Sequence, residues 1–468
     1  MREKGTGLFF NWTAFKISPI FPNVLRFSVI NQRLNYTAAL LAVIFLITAC
    51  QGVEDEIPVG QFTNTTVSFH GGPMLLVHFM PWYRGPSNIT QENNSSSYGG
   101  HWTRWGAFNP TQHSNDGKAQ IFANQYPLTG PYHSSNIFIL EYQASLMKIA
   151  GIDGVIFDWY GAYDSNDFGE NHGYTTAMVD VLRRAELLYS VMYEDNTLNM
   201  MNNQNPAPVT SDTISIGRYS FDWAQINWFA YDPLYVRYEG RPVIMCFGPQ
   251  HFKQKAHWDN VFYNVKPSPI FIDLDNHYSV SNGSFPWPPM WASENGVLTQ
   301  THLGQYLDQF YNQKAGKTYK VASVFSAFDD AYANSYGELA YDDGANFDYT
   351  WNKAVEFNPN IVQIVTWNDY GEGTIIEPTI ERGYNELEYI QDRVKEYNPG
   401  FPFTAEDLRW PLEFYKLRYT QTVTGAQETA IAEATEALFA GNVALFRSRA
   451  ADVGVTVDIN DLKPLLRY

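Results

Sequence analysis

The chain reads as an α/β protein, a single (β/α)8 TIM-type barrel with long loops and extra C-terminal helices. Three observations predict this. Eight apolar segments of about 4–8 residues recur between positions 74 and 367. Most are continuous rather than alternating, as in strands covered by helices on both faces. Helical periodicity fills several of the gaps, and this strand–helix alternation from about 74 to 396 favours a closed barrel over the alternative, a doubly wound open sheet.

The strand candidates, in order, are Met74–Phe79, Val155–Trp159, Tyr189–Tyr193, Val243–Phe247, Ile270–Leu274, Pro289–Ala292, Val321–Phe325 and Ile361–Trp367. No convincing long helix separates the fourth, fifth and sixth. Ser134 or Ser135 is placed to cap a helix running to Ala150, with Gly151 as its stop. Tyr174–Leu187 repeats the pattern through Met178, Val181, Leu182 and Ala185, and Thr299–Gln313 and Asn385–Glu396 are further helices. An Ala-rich periodic tail, about 427–453, reads as helices appended to the barrel exterior. The expected divisions are a signal and lipobox segment at 1–50, a linker at 51–68, the barrel at 69–398 and a helical extension at 399–468.

Composition narrows the partners. Apolar residues make up 45% of the 468, ample for a large core. The net charge of −18 argues against nucleic acid and suits a neutral substrate. Aromatics at 16% are high; extra Trp and Tyr are often core, and a surplus of this size also suits stacking on sugar faces. The two cysteines provide neither a disulfide framework nor a zinc site. Cys246 sits in an apolar run and reads as a core thiol. Cys50 ends the apolar stretch 38–49, too short to span a bilayer. Ile47-Thr48-Ala49-Cys50 resembles a bacterial lipobox, and Glu54-Asp55-Glu56 resembles the surface-export tether of Bacteroides-type lipoproteins. The expectation is an exported protein, lipid-anchored through Cys50 at the outer membrane or cell surface, with the periplasm as alternative and no other contact with membrane.

In a barrel the strand C-termini face the active site, so polar residues just beyond apolar runs are the ones to inspect. The first strand ends in His78-Phe79-Met80-Pro81-Trp82-Tyr83, the second in Asp158-Trp159-Tyr160 and the third in Glu194-Asp195. Asp329-Asp330 follows the seventh. The eighth runs into Trp367-Asn368-Asp369-Tyr370-Gly371-Glu372-Gly373. Four of these ends carry acids and the other a histidine, a supply that glycoside hydrolysis needs: one carboxyl protonates the leaving oxygen while another acts as base or nucleophile. Asp369 and Glu372, three apart on a turn with two glycines, are the catalytic candidates. Trp82, Trp159, Trp367 and Tyr370 are read as a stacking platform. Each feature also has a structural reading: Asp158 as a helix cap, Glu194 and Asp195 as solvated loop acids, Asp329 and Asp330 as turn formers, and the rings as core.

The motif Trp367-Asn368-Asp369-Tyr370-Gly371-Glu372 resembles that of the α-1,3-glucanases of glycoside hydrolase family 71. Its continuation through Pro378 resembles the endo-α-mannosidases and endo-α-mannanases of family 99, as do Pro81-Trp82-Tyr83, Gly100-His101-Trp102 and Ala150-Gly151-Ile152-Asp153-Gly154-Val155. The resemblance spans about residues 74–395. It implies a (β/α)8 barrel that cleaves α-linked glycans without metal or other cofactor, with Glu372 as general acid/base and Asp369 as partner base. Family 99 uses a glutamate where this chain has Asp369; the shorter side chain leans toward family 71, which resembles an inverting system. Glu194 is similar to a sugar-contacting acid of family 99, and His78, Tyr83, His101 and Trp102 are implied subsite residues.

The leading expectation is therefore a glycosidase acting on mannan- or glucan-type polysaccharide or oligosaccharide, its cleft covered by the loop Arg84–His101. A non-catalytic glycan-binding surface lipoprotein is the alternative, disfavoured by the intact Asp369/Glu372 pair. A metal-dependent hydrolase built on His78, His101, Asp158 and Glu194 finds no His-x-His or His-Glu-x-x-His spacing to support it.

Overall fold

Eight short runs, apolar on alternate residues as well as adjacent ones, pair in parallel around a common axis in the computed structural model. It describes residues 57–201, 208–275 and 281–459. The strands are β1 (Met74–Phe79), β2 (Gly154–Trp159), β3 (Leu188–Tyr193), β4 (Arg241–Cys246), β5 (Ile270–Leu274), β6 (Gly283–Phe285), β7 (Val321–Phe325) and β8 (Ile361–Val365). Their order in the sheet is β7-β8-β1-β2-β3-β4-β5-β6. At the seam the Ser323 hydroxyl of β7 donates to the Pro286 carbonyl just past β6, 2.7 Å away, so the barrel is nearly closed.

Two cores explain the continuous apolar runs. Met74, Leu76, Ile156, Leu188, Met192, Val243, Met245, Ile270, Ile272, Phe285, Val321 and Ile361 fill the barrel interior. The intervening residues, among them Leu75, Val77, Val155, Phe157, Val191, Ile244, Val324 and Ile364, face outward into the layer beneath the helices. Strand side chains alternate faces, so each strand needs apolar residues at both parities.

Helices α1 (Ile137–Ala150), α2 (Phe168–Ala185), α3 (Ser211–Ala224), α4 (Lys255–Val261), α5 (Gln300–Lys314), α6 (Ala345–Glu356) and α7 (Asn385–Tyr397) accompany the strands. Among the described residues none lies between β5 and β6. The cap of α1 is Asn136, whose side chain accepts from the Phe138 N–H; Ser134 instead accepts from the Tyr83 N–H at 2.9 Å. Gly151 (φ 87°) ends the helix as expected.

The sequence reading needs correction in three places. The sixth strand is 283–285, not 289–292, because Pro286, Pro288 and Pro289 have no N–H to give a ladder; residues 290–292 form a short 3-10 turn. Helices α3, α4 and α6 lie outside the helices expected from the sequence. The described part of the linker, from Ile57, is strapped across the barrel floor. Gly60 N–H donates to the Lys266 carbonyl (2.7 Å), Thr66 N–H to the Arg237 carbonyl (2.8 Å) and Phe69 N–H to Asp153 (2.8 Å). Cys50 lies outside the described residues.

Beyond the barrel, α8 (Trp410–Tyr419), α9 (Gly425–Phe439) and α10 (Val443–Asp452) follow. Arg418 on α8 pairs with Glu141 of α1 and Glu428 of α9, each at 2.7 Å, joining the tail to the barrel wall.

Candidate active site

Interior parity selects the residues at the mouth of the barrel. Continuing β1 past Met74 and Leu76 gives His78. Continuing β2 past Ile156 gives Asp158, and β3 past Met192 gives Glu194. Two residues beyond Phe285 on β6 stands Trp287, packed against the interior core. The loop after β8 brings Asp369 and Glu372 to the same place. The four carboxyl groups lie within electrostatic reach of one another: Asp158 feels Glu194, Asp369 and Glu372, and Glu372 feels Asp369 and Glu194. None of the four forms an ion pair among the described residues.

Burial and this crowding set their protonation. Asp158 is driven well above the usual carboxylate range, by burial first and then by its three acidic neighbours. Its Oδ1 is buried without a hydrogen-bond partner. Glu194 is pushed up to about 8 by burial, with Asp195 and Asp369 adding to it. Burial, then Asp369 and Asp330, hold Glu372 well above its ordinary value, opposed by the Trp287 side chain; its Oε2 is buried and unpartnered. Asp369 rises only to about 6, because burial is countered by the backbone N–H groups of Glu372 and Gly371. The Glu372 N–H lies 3.1 Å from Asp369 Oδ1. One member of the pair is thus suited to keep a proton and the other to hold negative charge.

The turn that presents them is braced from below. Asn368 accepts from the Met80 N–H (2.8 Å) and donates to the Met80 carbonyl (3.0 Å), tying the loop to the end of β1. Thr366 Oγ1 accepts from the Asp369 N–H at 2.9 Å. Beneath, Glu377 accepts from Tyr370 (2.7 Å), Gln143 (2.8 Å) and Tyr132 (2.9 Å). From the side, Asp329 N–H donates to the Glu372 carbonyl and Ala331 N–H to the Gly371 carbonyl, at 2.9 and 3.0 Å. Of the two glycines only Gly373 is left-handed (φ 67°), and a side chain there would strike the Asp329 carbonyl. At Gly371 the requirement is space, since a Cβ would sit 3.3 Å from both Asp369 and Phe122.

Around the acids stand rings and a neutral imidazole. His78 packs edge-on to Trp287 (5.0 Å) and is pushed down to about 3 by burial, so it is uncharged, with both ring nitrogens unpartnered. Trp82 stacks on His101 at 4.1 Å and lies 6.2 Å from Tyr160, which feels Asp158 and Glu194. Tyr332 approaches Gly371 from the β7 loop, and its phenol is raised by burial and then by Asp369 and Glu372.

Other candidate residues turn out to be supports. Trp159 has outward parity and packs on Phe221 and Trp228, its Nε1 donating to His172 at 3.2 Å. Trp367 is fully buried in the outer layer, and the Tyr370 hydroxyl is spent on Glu377. These three are not a stacking platform. Trp102 is fully buried and donates to the Tyr132 carbonyl (2.7 Å), and the Tyr83 hydroxyl donates to the Asn368 carbonyl (2.8 Å). Both support the loop rather than face the cleft. Asp329 accepts from Asn124 (2.9 Å) and Gln125 (2.7 Å), and Asp330 from the Tyr336 N–H (2.7 Å). Asp195 takes three N–H donors from residues 250–252 at 2.7 Å each, a buried brace and not a solvated acid. The loop after Arg84 packs sideways, with Ser87 accepting from Asn136 and Glu92 from Tyr419 on α8.

Trp287, Tyr332 and Arg104 were not singled out in the sequence. Trp287 had a legible signal in its parity with Phe285; the other two reach the site through loops, and no spacing announces them. Among the described residues no three His, Cys, Asp or Glu side chains group as a metal site.

Residues 220–432 match the sequence model of glycosyl hydrolase family 71. Over that region, a little under half of its length, the chain is similar to family 71. A mutanase of Penicillium rubens is 26% identical over 161 residues, 32% of this chain and 34% of the fungal protein. The ascus wall endo-1,3-alpha-glucanase of Schizosaccharomyces pombe is 28% identical over 156 residues, 32% of each chain. The alignments thus span about a third of the length of these relatives. In three dimensions the GH99 endo-alpha-mannosidase of Bacteroides thetaiotaomicron superposes with a TM-score of 0.50 at 17% identity, covering 72% of this chain and 98% of that one. That likeness is one of fold. The matched region holds β4–β8 and the loop with Asp369 and Glu372, while His78, Trp82, Asp158 and Glu194 come from the part that precedes it.

Proposed function

We propose that the chain is a glycoside hydrolase that cleaves α-linked glucan- or mannan-type chains by carboxyl acid/base catalysis. What carries the reading is the convergence of four carboxyl groups, Asp158 and Asp369 buried and Glu194 and Glu372 half-buried, free of cation partners among the described residues, at the C-terminal mouth of the barrel. A fold does not normally collect uncompensated acids, because each raises the cost of ionising the others.

Glu372, held protonated, delivers its proton to the glycosidic oxygen as the bond to the anomeric carbon breaks. Asp369, held ionised by two N–H groups, accepts the proton of the attacking water or sugar hydroxyl. Asp158 and Glu194 line the cleft as partners for sugar hydroxyls, and neutral His78 can both donate and accept there. The name of one partial relative, an endo-1,3-alpha-glucanase, supports an α-1,3-glucan over other polymers. We also infer that catalysis needs no metal, and that the chain is exported and acylated at Cys50.

The test is a panel of α-1,3-glucan, α-mannans and β-linked controls, assayed for new reducing ends with and without chelator. Release from an α-glycan, unchanged by chelator and with the anomer read by proton NMR, is the expected result. Cleavage of β-linked controls alone, or none at all, overturns the reading.

A further inference from the structure

The rings at the mouth do not stop at Trp82. His101 lies stacked on Trp82 at 4.1 Å, and Trp105 stands 5.2 Å beyond His101 with 66% of its surface exposed. At the inner end Tyr160 links the series to Asp158 and Glu194. The path therefore runs from the buried acids to open solvent through Tyr160, Trp82, His101 and Trp105.

A single exposed tryptophan is ordinary. The way this one is held is not. Arg104 and Trp105 are consecutive non-glycine residues in the left-handed region, with φ of 44° and 53°. The turn is held by the Trp105 N–H donating to the Gly100 carbonyl (3.3 Å) and the Gly106 N–H to the Thr103 carbonyl (3.1 Å). It is anchored by the Arg104 guanidinium, 4.6 Å from the Phe122 ring centroid and 4.7 Å from that of Tyr332. Tyr332 is the same ring that borders the catalytic turn. Trp82, Trp105 and Tyr174 line one recess with polar walls, including the Arg84–Glu170 pair at 3.0 Å. An exposed flat ring at the lip of a recess with polar walls is what a pyranose needs, since its C–H face stacks while its hydroxyls bond to the walls.

We propose that Trp105 forms a distal sugar subsite, so that the enzyme grips a glycan chain several units long and cuts it internally. The inference rests on the glycosidase reading above and adds chain length and the direction in which the chain leaves the acids.

The experiment compares Trp105→Ala and Trp105→Phe with the wild-type full chain on a ladder of α-linked oligosaccharides and on the polymer. The expected result is a KM raised about 10-fold for Trp105→Ala on long chains. It leaves kcat and the rate on the shortest cleaved substrate unchanged, with the phenylalanine variant close to wild type. Equal effects on short and long chains, or none, overturn the subsite while wild-type turnover leaves the glycosidase reading standing. Wild-type protein inert on every α-glycan overturns both. Weaker retardation of Glu372→Gln/Trp105→Ala than of Glu372→Gln alone in gels containing the polymer supports the subsite independently of turnover; equal retardation counts against it.

Discussion

Strand β2 has an aspartate at each end, and the two live in opposite surroundings. Asp153, at the barrel floor, accepts from the Phe69 and Leu75 N–H groups at 2.8 Å each and meets His70 Nε2 at 3.1 Å. Asp158, five residues on, has an unpartnered oxygen and three acids for neighbours. Both are buried. The floor aspartate is satisfied and closes the strap 57–72 against the barrel, whereas the mouth aspartate is left wanting. Unmet polar demand, more than burial or residue type, separates the working end of this barrel from its foundation.

That contrast can be broken by mutation. The largest effect is expected for Glu372→Gln, which keeps shape and removes the transferable proton: kcat falls at least ~10²-fold while the fold persists, checked by steady-state rates alongside circular dichroism. Glu194→Gln comes next, with an activity loss of about 10-fold or more and a gain in stability at neutral pH. The sign follows from its raised value of about 8. The folded state holds this proton more tightly than the unfolded chain, so stability declines as pH climbs from the ordinary carboxylate range to about 8. Glutamine removes this residue's share of the decline, while Asp158 and Glu372 keep theirs. Melting curves from pH 4 to 8 check it, and a variant less stable than wild type at pH 7 would count against an uncompensated acid. Asp153→Asn should do the reverse, costing about 2–3 kcal/mol because an amide cannot accept both N–H groups. Its kcat per folded molecule stays the same. The smallest effect is Trp159→Phe, about 1–2 kcal/mol of stability from a lost hydrogen bond and packing, with KM unmoved; a raised KM would put Trp159 back in the cleft.

Much of the barrel was legible because its strands are continuous apolar runs. Met74–Phe79, Ile270–Leu274 and Val321–Phe325 were bounded to the residue. The sixth strand was missed because only Gly283–Phe285 pairs, while the more apolar stretch beyond it is interrupted by prolines. At the site, strand ends pointed to His78, Asp158, Glu194, Asp369 and Glu372, and the structure brings all five together. The aromatic residues were read less well, since proximity in sequence was taken for proximity in the cleft. Trp159 and Trp367 adjoin cleft residues yet point the other way, and strand alternation would have said so for Trp159. Tyr332 and Arg104 meet across 228 positions of chain, a pairing that only the fold creates.

The most direct test of the central claim, that Glu372 supplies the proton to the leaving oxygen, is to assay Glu372→Gln on an aryl α-glycoside whose phenol leaves unaided. The deficit seen on a natural glycan should shrink at least tenfold there, because no proton is needed at the leaving oxygen. An equal deficit on both substrates would contradict the assignment.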